Sequence, residues 1–600
     1  MFWFLNPRFI LYAISLSLLL FLSSSGLNAQ RLSRDLHVDI LINHAGYLPG
    51  ASKICISKGD IQKSFEVINL KTQKVVYTGQ LFQQSSDFGN YIYGDFSSVT
   101  EEGSYYIKAD TLRSYPFRIS NSVYQPAVNS ILNYFSLQRC GASTTGYLSP
   151  CHLDDGVRVD NGKHKDVTGG WHDASDLRKW VSATIYGMIG LTNSFEFSDK
   201  GIQKKIIEEL IWGNQYFLKM QEPDGFVMDF IGGDVKRNLD NNRWTDNLIG
   251  EYEEVEAKLI RPNAGFSTSL MLTVGNKDDR VIQTNPADMP TQFRFISSEA
   301  AMSRITRLKD AVYSKKCLDA AMKCFEWCRK FRSKNEDTPE VYGTAIQASL
   351  ELFRITKNKS YKEFAAEQAS LLKQLQADSD ETGAGGYFYC SLTNKEPYKQ
   401  ILGSTEFISL CDLALLFPKH KDAAVWKKMI SRYVGEYLLP VSKNNIFGII
   451  PYGLYSKNDT GGGRRFGKYY YRYFMEPELN WWVGINSNLA SAGIGFIKAA
   501  KVLKNDELRK LAQRQLDWIM GNNPFNSCTI VSEGYNNPPR YNPSAFIPAT
   551  PLLAGAVMNG IGGDHSDQPF MGDGIWQVSE YWTPMAANTF WLIAELNAAR

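Results

Sequence analysis

Two carboxylates stand three residues apart in the run Gly169-Gly170-Trp171-His172-Asp173-Ala174-Ser175-Asp176. The stretch 177–189 that follows reads as helical, which places Asp173 and Asp176 together at a helix start. Capping alone accounts for such a pair, with Asp173 as N-cap and Asp176 in the first turn. The same position suits catalysis. A helix N-terminus favours ionised carboxylates, and a general base must be ionised to accept a proton. A third carboxyl, Glu580, lies in Val578-Ser579-Glu580-Tyr581-Trp582-Thr583-Pro584, ahead of a helical stretch over 585–596. Tyr581 and Trp582 beside it disfavour its charged form, as a general acid requires. The plain alternative is an ordinary first-turn glutamate.

Cys140, Cys151-His152 and His172 fall within about thirty residues and offer two thiols and two imidazoles, the donor set of a closed tetrahedral zinc site. The spacing is not that of a classical finger, His164 competes with His172 as a ligand, and a Cys140–Cys151 disulfide is the simpler alternative in an exported protein. Gly462 to Lys468 nearly matches a phosphate-binding loop, but Tyr469 stands where Ser or Thr should follow and no clear strand precedes it. No Gly-x-Ser-x-Gly nucleophile elbow occurs.

Two kinds of element must position these residues. Between residues 36 and 120 the chain reads as short strands, around 38–42, 64–68, 74–77 and 104–107, separated by Gly46, Gly59, Gly89 and Gly103. That pattern predicts a small all-β, immunoglobulin-like sandwich. Beyond Pro126 the periodicity turns helical over 299–331, 344–375, 424–438 and 487–520, several with internal breaks that suggest helical hairpins. A helical domain over 121–600 with long Gly/Asn/Pro-rich loops predicts paired helices in a closed array, with the site on the loops at one end.

The first 29 residues have the order of a secretory signal: Arg8, an apolar run over 9–22, then small residues to Ala29. The run is short for a membrane span, so the mature protein is expected to be exported, to periplasm or beyond, with no membrane partner. Nine cysteines leave at least one unpaired, and Cys317, Cys324 and Cys328 at helical spacing read as buried apolar residues. The 600 residues carry a net charge of only +3 and no block of like charge, so nucleic acid is not an expected partner. The 13% aromatic content suits stacking on sugars and large helical cores equally.

Taken together these segments resemble family 9 of the glycoside hydrolases, the inverting cellulases with an N-terminal immunoglobulin-like domain. The likeness runs from residue 40 to the C-terminus. Asn43 to Pro49 resembles the opening of that β-domain; Leu137 to Gly141 and Pro150 to His152 resemble the zinc-bearing members. Lys163-His164 through Asp176 resembles the family signature, with Ser175 where Gly is usual. Gly521-Asn522-Asn523-Pro524 and Gly562-Gly563-Asp564 resemble later landmarks. The resemblance implies an all-α (α/α)6 barrel, Asp176 as general base, Asp173 as its partner on the water, and Glu580 as general acid. It also implies structural zinc on Cys140, Cys151, His152 and His172. The substrate it implies is a β-1,4-linked glucan of the cellulose or xyloglucan kind, with Trp582 and Arg540 as candidate sugar contacts. There is one departure. Asn537 to Ser544 has no histidine where many members carry a His-His-Arg run, so Arg540 alone is left for that role. The family's calcium positions do not map clearly onto Ile296 to Met302, which leaves calcium as an open ligand. An exo-acting β-glycosidase on oligosaccharides and a glycan-binding protein without catalysis are the alternatives. A lyase would need a basic cluster beyond Arg464 and Arg465.

Overall fold

The computed structural model describes residues 39–58, 63–175, 177–232, 280–333, 337–399, 401–457, 462–477, 482–541, 552–572 and 574–598, with backbone alone at 260–261 and 266–267. The signal-like segment and Asp176 lie outside the described residues.

The N-terminal part is a two-sheet sandwich. One sheet has β1 (Ile40–Leu41), β2 (Ile54–Ser57), β6 (Gly89–Asp95) and β5 (Phe82–Ser86) side by side; the other has β4 (Val75–Gln80), β3 (Ser64–Asn69), β7 (Gly103–Ala109) and β8 (Leu112–Arg113), with β9 (Phe117–Ile119) also on β7. Strand alternation points Phe65 and Val67 inward, where they meet Phe96, Tyr105, Ile107 and Phe117.

Among the described residues the rest of the chain has twelve helices of ten residues or more: α1 (Gln125–Leu137), α2 (Val181–Ser194), α3 (Lys200–Met220), α4 (Met289–Thr306), α5 (Ala311–Phe331), α6 (Pro339–Thr356), α7 (Lys359–Leu375), α8 (Thr405–Leu416), α9 (Ala423–Arg432), α10 (Asn486–Leu503), α11 (Glu507–Ile519) and α12 (Thr583–Ala598). The breaks expected inside the periodic stretches are the hairpin turns after α4, α6 and α10. The even-numbered helices pack on one another in the order α2, α4, α6, α8, α10, α12 and back to α2, a closed inner ring. Of the odd-numbered helices, α3, α5, α7, α9 and α11 each lie outside the inner helix that precedes them. This is the (α/α)6 barrel. Inner helices are buried on nearly every side, as α12 shows with residues 583–596 all buried, whereas outer ones such as α11 keep one wet face. Each inner helix but α12 turns quickly into an outer one, so the long loops return at the N-terminal ends of the inner ring.

The helix expected from Leu177 begins at Val181 instead, with Trp180 at its N-cap and no side-chain cap. Residues 177–180 are drawn into a turn around Asp173 and into the strand β10 (Lys179–Trp180), which pairs with β11 (Met228–Gly232). Asp173 is therefore not the cap of this helix.

The sandwich is wedged into the barrel. At the β5–β6 turn, the Asp87 backbone N–H donates to Asn444 O at 2.8 Å, and Asp87 Oδ2 accepts from the hydroxyls of Tyr471 at 2.7 Å and Tyr473 at 2.9 Å. Phe88 packs among Phe447, Tyr473, Phe474 and Trp518. Near the start of the sandwich, Asn43 Nδ2 donates to Asp517 on α11 at 2.9 Å. The near-match to a phosphate loop also resolves here: Arg464 is paired with Asp567 and Asp87.

Candidate active site and metal centre

Asp173 is tied down through all its polar groups. Its N–H donates to Arg178 O at 3.0 Å, and its carbonyl accepts from Thr583 N and Oγ1, each at 2.9 Å. Oδ1 accepts the backbone N–H of Trp180 at 3.1 Å, and Oδ2 accepts the indole N–H of Trp582 at 3.2 Å. The next residue, Ala174, forms an antiparallel bridge with Trp582. Gln138 Nε2 donates to Ala174 O at 2.6 Å. One residue on, Ser175 Oγ donates to Glu580 Oε1 at 2.5 Å. The loop that opens α2 and the loop that opens α12 therefore run alongside each other, and α2 and α12 are neighbours in the inner ring.

Glu580 is not in a helical first turn. It follows a single turn, Trp576–Ser579, in extended conformation (φ −67°, ψ 138°). Its carbonyl accepts from Asn559 N at 2.7 Å, and the following Tyr581 bridges to Met558. Tyr581 is buried and meets Tyr134 edge-on at 5.7 Å. Burial, with the nearby charges of Asp173 and Glu580, pushes the Tyr134 phenol well up, so it stays neutral. Trp180 stacks on Phe230 of β11 at 4.2 Å and 16°, and the Arg178 guanidinium lies over the Trp180 ring at 5.5 Å. Asp229 on the same strand is pushed up to about 6 by burial and by Asp288.

Directly behind Asp173 lies the cluster of Cys140, Cys151, His152 and His172. All four are buried, and their ligand atoms lie within 4.8 Å of one another. Cys140 Sγ is 3.4 Å from His152 Nδ1; Cys151 Sγ is 3.9 Å from Cys140 Sγ and 3.9 Å from His172 Nε2. Tetrahedral zinc with about 2.3 Å bonds to sulfur and about 2.1 Å to nitrogen sets neighbouring donors about 3.4–3.8 Å apart. The sulfurs are not bonded, and both cysteines are free. Burial opposes ionisation of Cys140, but the hydrogen bond from Cys151 and the charge of Lys179 outweigh it and hold the thiol well below its usual range. Burial and Arg280 bring His152 down to about 4, leaving the neutral imidazole a metal needs. The donor set fits zinc. His164 is exposed and outside the cluster. No second such group occurs among the described residues, and none supports calcium at Ile296 to Met302.

The backbone explains the cluster. Cys140 N donates to Gly170 O at 2.9 Å and His172 N to Gln138 O at 2.9 Å, so the two strands carry their ligands side by side. Gly170 has φ +74°, and a Cβ there would meet Tyr216 at 2.8 Å. Beneath, buried Asp155 pairs with Lys179 Nζ at 2.8 Å and Arg280 Nε at 3.1 Å. Lys179 also donates to Val167 O and Gly169 O, which clamps the loop leading to His172 and Asp173.

Comparison with known proteins identifies the frame around this site. Residues 124–588 match glycosyl hydrolase family 9. The chain belongs to that family. Residues 37–114 match the cellulase N-terminal ig-like domain that accompanies it. Endoglucanase D of Acetivibrio thermocellus is 26% identical over 380 residues, covering 57% of this chain and 55% of that protein; this chain thus spans little more than half of its length. A cellodextrinase of Butyrivibrio fibrisolvens is 25% identical over 529 residues, covering 79% of this chain and 87% of that protein. A metagenome-derived family 9 endoglucanase of known structure shares the fold, with a TM-score of 0.65 at 19% identity over 93% of this chain and 98% of that one.

Of the residues selected by the family 9 resemblance, the fold gathers Asp173, Glu580 and Trp582 at one junction and the four metal ligands at another just behind. Asp176 lies outside the described residues. Arg540 is exposed, at the end of a described segment whose continuation, 542–551, is also outside them. The Trp180–Phe230 stack and Ser175's bond to Glu580 were not legible, because each joins segments far apart in sequence.

Proposed function

We propose that this family 9 protein is an inverting hydrolase of β-1,4-linked glucans. The observation that carries the reading is the pairing of the 173–175 strand with the 580–583 strand, which holds two carboxyls at the mouth of the barrel. In this reading Asp176 takes a proton from water, Asp173 helps hold that water, and Glu580 protonates the departing sugar oxygen. An Asp base acting through water attacks the face opposite the leaving group, so the anomeric configuration inverts. Trp582 fixes Asp173 and walls the site, and Arg540 contacts sugar.

Zinc held by Cys140, Cys151, His152 and His172 supplies a closed cross-link, since all four positions are protein donors. It fixes the loop that carries Asp173 and takes no part in bond cleavage. Export of the mature chain, after removal of residues 1–29, belongs to the same reading. A preference for oligosaccharides over polymer is the second reading, favoured by the likeness to the cellodextrinase over most of both chains.

The deciding experiment is incubation with a panel of β-glucan oligosaccharides, with products read by mass and the first anomer by proton NMR. Addition of water with inversion supports the proposal. An unsaturated end would mean a lyase, and an intact panel a binding protein.

A further inference from the structure

Ser175 is fully buried. Its hydroxyl lies 2.5 Å from Oε1 of Glu580, its one side-chain hydrogen-bond partner among the described residues. Both backbones that carry this pair are pinned. Ala174, just before the serine, bridges to Trp582 and has its carbonyl tied to Gln138 Nε2 at 2.6 Å. Glu580 donates its N–H to Trp576 O at 3.2 Å and accepts at its carbonyl from Asn559 N at 2.7 Å. Where the family signature usually has glycine, this chain has a side chain that can donate to the carboxyl.

The pair has a direction. An ionised carboxylate only accepts, so against that form Ser175 must donate. Against the protonated acid it donates to the carbonyl oxygen. Oε1 is then that oxygen, and the acidic hydrogen sits on Oε2. Were the hydrogen on Oε1, it would point at Ser175 Oγ, and the serine hydrogen would have no acceptor among the described residues. A hydrogen bond to an ionised acceptor is roughly twice as strong as one to a neutral acceptor. The bond from Ser175 therefore strengthens as the proton leaves Oε2, and it contributes more in the transition state than in the ground state. It also favours the charged form of Glu580, against the effect of the aromatic side chains beside it. Two further titratable groups lie around this carboxyl. Asp173, on the adjoining strand, opposes its ionisation as a like charge, and the Tyr134 phenol from α1 stays neutral.

We propose that Ser175 is the positioning residue for the acid step: it occupies Oε1 of Glu580 and so fixes Oε2 as the oxygen that hands its proton to the departing sugar. The proposal rests on the glucan-hydrolase reading above. Hydrogen passes from Oε2 to the glycosidic oxygen as the bond between that oxygen and the anomeric carbon breaks. Glu580 is left ionised with Ser175 donating to it. Water adds to the anomeric carbon and gives its proton to the base. With the serine in place, Glu580 is the stronger acid and serves poor leaving groups over a more acidic range of pH.

The test compares the full wild-type chain with Ser175→Ala and Ser175→Gly, both of which remove the hydroxyl. On β-1,4-glucan oligosaccharides kcat should fall about five- to tenfold in each variant, with KM little changed. On aryl glycosides with an acidic phenol leaving group the loss should be about twofold or less, since little protonation is needed. The alkaline limb of kcat/KM on oligosaccharides should move up by about half to one pH unit, because the weaker acid keeps its proton longer. Equal losses on both substrate types with an unmoved limb are what a merely structural serine would give, and they overturn the proposal. Carbon-13 NMR of carboxyl-labelled glutamate reads the same bond without turnover. The resonance that Glu580→Gln removes should titrate at higher pH in Ser175→Ala than in wild type. A raised midpoint supports the hydrogen bond even if no glucan is cleaved, and an unchanged midpoint overturns it even if glucan is cleaved with inversion.

Discussion

The indole N–H of Trp582 donates to Oδ2 of Asp173 at 3.2 Å, from a residue 409 positions away in the chain. Oδ1 of the same carboxylate is held by the start of α2. One carboxylate is thus fixed from both of the helices whose loops carry the proposed chemistry. Trp582→Phe keeps the ring and removes the donor. Its kcat should fall about tenfold or more, with KM on long glucans little changed, because the loss is one of orientation. A rise in KM alone would show that Trp582 serves only as a sugar platform.

Asp176→Asn should abolish hydrolysis while the far-ultraviolet circular dichroism and melting temperature stay as in the parent. General base catalysis is worth about a hundred- to ten-thousandfold. Asp173→Asn should also be severe. Wild-type cleavage of a β-linked substrate should give the α-anomer first by proton NMR, and a β-anomer would refute the assignment.

Glu580→Gln should cost most on natural sugar leaving groups and least on activated aryl glycosides, which need little protonation. Ser175→Ala removes the hydroxyl 2.5 Å from Oε1 and should show the same dependence in milder form. Equal losses on both substrate types would assign Glu580 a structural part.

Cys151→Ser should lower zinc content and melting temperature together, since the metal would cross-link the segments that carry Cys140, Cys151-His152 and His172. Elemental analysis of folded wild type should find about one zinc per chain. Absence of zinc with Cys140 and Cys151 oxidised would restore the disulfide.

Burial pushes Glu299 from its ordinary 4.5 to about 8. The folded state then keeps a proton that the unfolded state releases above 4.5, so stability is lost as pH rises from about 5 to 8, on the order of 1 kcal/mol per unit. Glu299→Gln preserves a partner for Asn214, the donor to Glu299, and removes this slope. Urea midpoints across that range measure it. An identical slope in the variant would show that Glu299 does not titrate there.

Long periodic segments revealed the helical hairpins, because burial on a ring of helices writes a 3.6-residue repeat into each of them. The strands at 64–69 and 103–109 were legible through alternation for the same reason. The start of α2 was misread. Leu177 is apolar and in phase, yet Asp173 competes for the backbone of 178–180, and that competition is settled by contacts with Thr583 and Trp582. The metal ligands could be chosen only by family likeness, since local spacing left His164 and a disulfide open.

The wedge of Asp87 and Phe88 has a consequence for how such chains recombine. A β-sandwich joined only by a linker can be exchanged for another between genes. This one supplies the anion that two tyrosines and Arg464 converge on, and a ring that fills a gap between Phe447 and Trp518. Any replacement module must bring an acidic and an aromatic residue on one hairpin tip at the same reach. A graft at their boundary must therefore reproduce that turn as well as the Asn43–Asp517 contact.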